Sequence, residues 1–205
     1  MLAHKSTAWY QRHANDAHVK KAQREGKRSR AVYKLAEILD QHLPQFAPQS
    51  VVVDLGCAPG SWSEEIVSRL NAQGLLVGID LLPVEHVQGA TILQCDFTTS
   101  EGQDGLAKAL NGRVIDLIVS DMAPEMSGNK LVDQMRMIGL NELTLHFSDQ
   151  HLRVGGHLLL KTFMGDGFDG FRRSLGERFK RVKSIKPAAS RKDSSEFFLL
   201  ALDKK

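Results

Sequence analysis

The sequence predicts an α/β fold: a mostly parallel, doubly wound sheet with helices on both faces. Three observations carry that prediction. There are six short apolar runs of strand type, helical patterns lie between most of them, and the runs are continuous rather than alternating. Continuous runs suit strands covered on both faces, as a parallel sheet requires.

The first element is a helix, because "RSRAVYKLAEILDQH" sets Val32, Leu35, Ile38 and Leu39 at helical spacing. Pro44 to Gln49 then forms a joint between a basic N-terminal arm and the sheet. The strands follow as "SVVVDLG", "GLLVGID", "ATILQCD", "VIDLIVSDM", "GHLLLKTF" and "EFFLLALD". Between the first two, "SWSEEIVSRLNAQG" reads as a helix with Ser61 or Ser63 as N-cap and Gly74 just beyond its end. A longer helix within "KLVDQMRMIGLNELTLHFSDQHLRVGG" should stop at Gly155-Gly156.

The 205 residues suffice for one large α/β domain and do not demand two. The expectation is a single domain over 1–205, with a basic arm and helix at about 1–43. Forty-two per cent hydrophobic residues can fill a core, which argues against general disorder. No apolar run approaches the roughly 20 residues that span a bilayer. The N-terminus lacks the apolar block of a signal peptide, so the expected location is cytoplasmic, with no membrane partner. Cys57 and Cys95 are too few for a disulfide framework or zinc site and read as reduced packing residues. The eight histidines are scattered; His4, His13 and His18 read as surface residues of the arm, and no metal is expected.

The net charge of +3 conceals segregation. Residues 1–34 carry nine Lys/Arg against two Asp/Glu, residues 35–171 seven against eighteen, and residues 172–192 nine against one. Two basic blocks brought to one face would suit a polyanion such as nucleic acid.

In doubly wound folds the ligand sits at the carboxyl ends of the strands. "VVVDLGCAPGSW" enters that region, where Gly56 and Gly60 permit a sharp turn and close approach, ahead of a helix N-terminus. The spacing is neither G-x-G-x-x-G nor a P-loop, which weakens dinucleotide and triphosphate readings. Asp80 ends the second strand, twenty-four residues after Gly56, where an acceptor for ribose hydroxyls is expected. Asp96 and Asp121 end the third and fourth. Three carboxylates at successive strand ends suggest a ligand with hydroxyls, an exocyclic amine and a positive centre. S-adenosylmethionine fits.

The segments "RSRAVYKL", "DLGCAPGSW", "DLLP", "SDMAPEMSG", "LLLKTFMGDGFD" and "SSEFFLLAL" resemble the FtsJ (RlmE) family of ribose 2′-O-methyltransferases, in particular its bacterial ribosomal RNA branch. The resemblance runs from about Trp9 to Leu202. It implies a Rossmann-like methyltransferase fold with a seven-stranded sheet. The implied reaction is methyl transfer from S-adenosylmethionine to a uridine 2′-hydroxyl in 23S ribosomal RNA, within the large (50S) subunit. It implies a catalytic set Lys34, Asp121, Lys161 and Glu196, with cofactor contacts from Gly60, Trp62, Asp80, Asp96 and Asp121. Ser61 stands where the family usually has a second glycine, and Phe198 where an aromatic with a hydroxyl is common.

A ribose hydroxyl is a poor nucleophile, so transfer needs in-line positioning and a proton acceptor. Lys161 ends a buried strand, where desolvation and a second cation, Lys34, would push its amine toward the neutral form, while the carboxylates of Asp121 and Glu196 would oppose that and instead fix geometry. Asp121 would orient it, while Lys34 and Glu196 position the ribose. The alternative for Lys161 is a snorkelling lysine that never gives up its proton. Methylation of an exocyclic amine favours an Asn/Asp-Pro-Pro-aromatic loop, and carbon methylation a thiolate beside a proline; neither pattern is present. Lys27, Arg28 and Arg30 precede Lys34 and are expected to grip phosphates. The expected protein is a monomer. Rival readings are the same chemistry on transfer RNA or a messenger cap, or a ribosome-assembly factor that binds RNA without turnover.

Overall fold

A computed structural model of the chain describes residues 16–191 and 194–205. His4, His13, Lys192 and the start of the basic arm lie outside them. The elements run α1 (Ala17–Arg24), α2 (Ala31–His42), β1 (Val51–Leu55), α3 (Ser61–Arg69), β2 (Leu75–Asp80), β3 (Ala90–Gln94) and α4 (Ser100–Leu110). They continue β4 (Ile115–Ser120), α5 (Lys130–His151), β5 (Leu152–Phe163), α6 (Phe168–Arg178), β6 (Phe179–Ile185) and β7 (Glu196–Lys204).

The seven strands form one sheet in the order β3-β2-β1-β4-β5-β7-β6. The first five are parallel, and β7 pairs antiparallel with both β5 and β6. Period-two alternation of buried residues sends each strand into two cores. On one face, Val52, Leu117, Leu159 and Phe198 pack beneath Leu35 and Ile38 of α2 and Trp62 and Ile66 of α3. On the other, Val53, Ile118, Leu158 and Leu199 meet Leu106 of α4, Phe147 of α5 and Phe171 of α6. No helix among the described residues is long and apolar enough to cross a membrane.

Three local expectations are corrected. Helix α3 is capped not by Ser61 or Ser63 but by Gly60 in a left-handed conformation, φ 100°, while Ser63 Oγ donates to Asp54 Oδ2 at 2.7 Å. Helix α5 ends at His151 rather than Gly155-Gly156, because Leu152 already pairs with Ile115 at the start of β5 before a shift in register. The seventh strand, β6, lies within the second basic block; its Phe179 is buried while Lys180, Arg181 and Lys183 point outward from the sheet edge.

Candidate active site

A cavity of about 320 Å³ opens at the carboxyl ends of β1 to β4. Gly56 and Ala58 form one wall, Asp80, Leu81 and Leu82 another, Cys95 to Thr98 a third, and Asp121 to Ala123 the fourth. Gly56 has φ +76°, and a Cβ there would stand 2.7 Å from Met122 Cγ and 3.0 Å from the Met122 backbone nitrogen. Close approach of two loops, as well as the turn, demands glycine at this position.

The strand-end carboxylates all reach this cavity. Asp80 accepts from Ala58 N–H through Oδ2 and from Leu82 N–H through Oδ1, each at 2.8 Å, which orients both oxygens and leaves each a lone pair for a hydroxyl. Asp96 Oδ1 accepts from the N–H and hydroxyl of Thr98, at 2.8 and 2.7 Å. Asp121 Oδ1 is inaccessible to solvent, lies 3.0 Å from Lys161 Nζ, and yet receives no well-directed hydrogen bond. A buried carboxylate oxygen in that state is an acceptor waiting for a donor. These groups fit a ligand with hydroxyls, an amine and a positive charge.

Asp54 was not singled out by its sequence context. It is fully buried in β1, on the face that carries α3, and its Oδ1 has no partner. Burial pushes its carboxyl up to about 7, against the hydrogen bond from Ser63 and with help from the charges of Asp121 and Asp80. The signal for it was an acidic residue inside an otherwise apolar strand. Cys57 is buried beside it, and burial pushes that thiol up, away from thiolate chemistry; Cys95 is also a free thiol.

Two charged pairs stand on the α2–α3 side of the sheet. Lys161, with a side chain only 9 % exposed, donates to the Asp121 carbonyl and pairs with its carboxylate at 3.0 Å. Lys34, from α2, pairs with Glu196 at the start of β7. Phe198 joins the pairs: it lies opposite Lys161 in the β5–β7 register, two residues from Glu196, and the Lys34 Nζ sits 5.8 Å from its ring centre. A second cavity of about 220 Å³ lies at the outer pair, lined by Ser29, Arg30, Lys34, Arg191, Ser194 and Glu196.

The remaining expected residues fall elsewhere. The Trp62 side chain does not line the larger cavity; its indole N–H donates to Ala31 O at 2.9 Å and its ring packs on Phe198. Gly60 is likewise off the cavity wall, and a Cβ there would meet Arg28 Nη1 at 2.8 Å. Arg28 and Arg30 do not extend to solvent as phosphate-gripping side chains would. Arg28 makes four hydrogen bonds to protein acceptors. Arg30 pairs with Asp16 and donates to Ala189 O. Only Lys27 of that trio is exposed.

A mostly parallel, doubly wound sheet with an acid-lined cavity at its parallel strand ends is an α/β fold with its ligand cavity where such folds place one. Residues 27–204 match the model of the FtsJ-like methyltransferases, and the chain belongs to that family. It is 47% identical over 196 residues to "Ribosomal RNA large subunit methyltransferase E" of Halorhodospira halophila, covering 96% of this chain and 92% of that one. The protein of the same name from Acinetobacter baylyi is 44% identical over 204 residues, covering 100% and 94%. Among solved structures, a Plasmodium falciparum protein titled a ribosomal RNA methyltransferase superposes with TM-score 0.77 at 27% identity, over 86% of this chain and 98% of that one. The fibrillarin/Nop5p complex, at 17% identity and TM-score 0.56 over 82% and 79%, shares the fold alone.

Proposed function

We propose that this chain transfers a methyl group from S-adenosylmethionine to the 2′-hydroxyl of a uridine ribose in 23S ribosomal RNA of the large subunit. The names of its relatives support the RNA class. The observation that carries the ribose reading is that the four charged residues span two cavities. Asp121 borders the larger, acid-lined cavity, Lys34 and Glu196 border the smaller, cation-rich one, and Lys161 reaches Asp121 from the strand between them. A donor on one side and a ribose on the other would meet at Lys161.

S-adenosylmethionine supplies an electrophilic methyl on a sulfonium. The chain's own residues do the rest. Asp80 and Asp96 hold the nucleoside end, and the Asp121 carboxylate, at the border of the same cavity, faces the positive centre. Lys34 and Glu196, locked to one another, offer a donor and an acceptor to the target ribose and fix its orientation. Lys161, held by Asp121, is the group placed to take the 2′-hydroxyl proton as the oxygen attacks. Phe198 and Trp62 make the floor apolar, which strengthens these polar contacts. Lys27, with the exposed Arg172, Arg173 and Lys183, offers phosphate contacts. In this reading the protein acts as a cytoplasmic monomer, one methyltransferase domain spanning residues 1–205.

Mapping ribose methylation in cells with and without the protein tests the proposal. Loss of one uridine 2′-O-methyl in 23S RNA is the expected result. Loss at a transfer RNA or cap position would move the same chemistry to another substrate. Unchanged maps, with RNA binding intact, would leave an assembly factor.

A further inference from the structure

Arg28 lies in the basic arm, and yet its guanidinium is spent inside the protein. Nε donates to Glu64 Oε1 at 2.6 Å, Nη1 to Pro59 O at 3.0 Å and Glu85 O at 2.7 Å, and Nη2 to His86 O at 2.7 Å. The side chain is 17 % exposed. It passes over Gly60, whose missing Cβ makes room for it. Two further contacts join the same segments: Ser61 Oγ donates to Ser29 Oγ at 2.7 Å, and the Trp62 indole to Ala31 O at 2.9 Å. Residues 28–31 are thus bonded to residues 59–64, the loop and first turn of α3 that follow β1, three residues before Lys34.

We infer that Arg28 is a positioning residue rather than a phosphate contact: it ties the loop beside the donor cavity to the segment that carries Lys34, and so sets the distance between donor and acceptor. The inference rests on the cofactor reading above. Three backbone carbonyls from two loops and the Glu64 carboxylate converge on one planar, five-donor group, and a lysine, with three donors on a single atom, cannot satisfy all four. Without that group, the Pro59 and Glu85–His86 carbonyls lose their shared donor, and the loop holding Ala58 against Asp80 loosens. A misplacement of about 1 Å at the reacting atoms can cost on the order of 100-fold in rate.

Calorimetry with S-adenosylmethionine alone, on the full chain without RNA, separates the roles. Arg28→Lys and Glu64→Ala should each weaken cofactor binding at least about tenfold. RNA methylation should fall mainly in kcat, and the salt dependence of RNA binding should stay that of the wild type. A phosphate contact would behave oppositely, with cofactor affinity unchanged, RNA KM raised and the salt slope reduced by about one. That outcome would overturn the inference. Lys27→Ala, from the exposed neighbour, should show the phosphate pattern and serves as the contrast. If Arg28→Lys unfolds, Glu64→Ala decides alone, since it keeps the arginine and removes a single acceptor. Wild-type protein that failed to bind S-adenosylmethionine would count against the cofactor reading itself; binding by the wild type with unaltered variants would sink only the role of Arg28.

Discussion

Lys161 and Phe198 stand directly opposite one another across the antiparallel β5–β7 pair, so amine and ring share the face of the sheet that carries α2 and α3. Glu196, two residues earlier in β7, falls on the same face and about 7–8 Å diagonally from Lys161. The β5–β7 register therefore puts Glu196 beside the lysine that Asp121 holds, and the ion pair to Glu196 adds Lys34 from α2.

Removing the amine should abolish the reaction without emptying the cofactor site. Lys161→Ala should lower RNA methylation by at least about 100-fold with the Kd for S-adenosylmethionine within a fewfold of wild type. Lys161→Arg keeps the charge but cannot give up its proton, and should be as inactive. Near-normal turnover in either variant, read by tritiated methyl incorporation, would remove the base assignment.

Lys34 and Glu196 should behave as one unit. Their side chains are 12% and 18% exposed, so deleting either partner strands a mostly buried charge, at a cost of about 1–3 kcal/mol in urea unfolding. Lys34→Met and Glu196→Gln should each slow methylation. The double variant should be little worse than either single one, with a coupling energy of about 0.5–3 kcal/mol. Strict additivity would mean that the pair does not act together.

Gly56→Ala should cost both stability and cofactor affinity. Its backbone is left-handed at φ +76°, and the new Cβ would press on the Met122 side chain and backbone, next to Asp121. Strain of this kind costs on the order of 1–3 kcal/mol. Thermal unfolding and cofactor titration should both register it, whereas Gly112→Ala, also left-handed but with open space around the Cβ, should lower stability only.

Asp54 should make the fold less stable as pH rises. Burial raises its carboxyl from the ordinary value near 3.9 to about 7, so the native state holds a proton that the unfolded chain has released across that interval. Its contribution is complete below pH 4, declines between about 4 and 7, and is lost above the folded value. Asp54→Asn, which keeps the neutral shape, should flatten the fall in stability over that window. An unchanged slope in urea unfolding at pH 5, 6 and 7 would show that Asp54 ionises normally.

Six of the seven strands were legible because each carries a short apolar stretch; those of β1, β2 and β4 are covered on both faces, while β3 is only partly buried. Strand β6 was not, since at the sheet edge Lys180, Arg181 and Lys183 are exposed and their run of charge conceals the buried Phe179 and half-buried Val182. Helix α1 escaped notice for a similar reason: only Val19 and Ala22 are buried among eight residues. The end of α5 was misread because its helical pattern continues into residues already paired in β5. The acids at the strand ends were readable from their place after each apolar run, while Asp54 stood inside a run and looked like part of it.

The sequence by itself determined the layered fold, the side of the sheet where a ligand would sit, and the residue types offered there. Those follow from local rules, because periodicity decides which side chains share a face and turn chemistry decides where a strand stops. Only the tertiary structure decided partners. Lys34 and Glu196 meet across 162 residues of chain, and Arg28 turns inward to three carbonyls although it lies in a basic stretch beside the exposed Lys27. The physical reason is that a charged side chain takes the acceptors that folding sets around it, and periodicity carries no record of which carbonyls will be left without a donor.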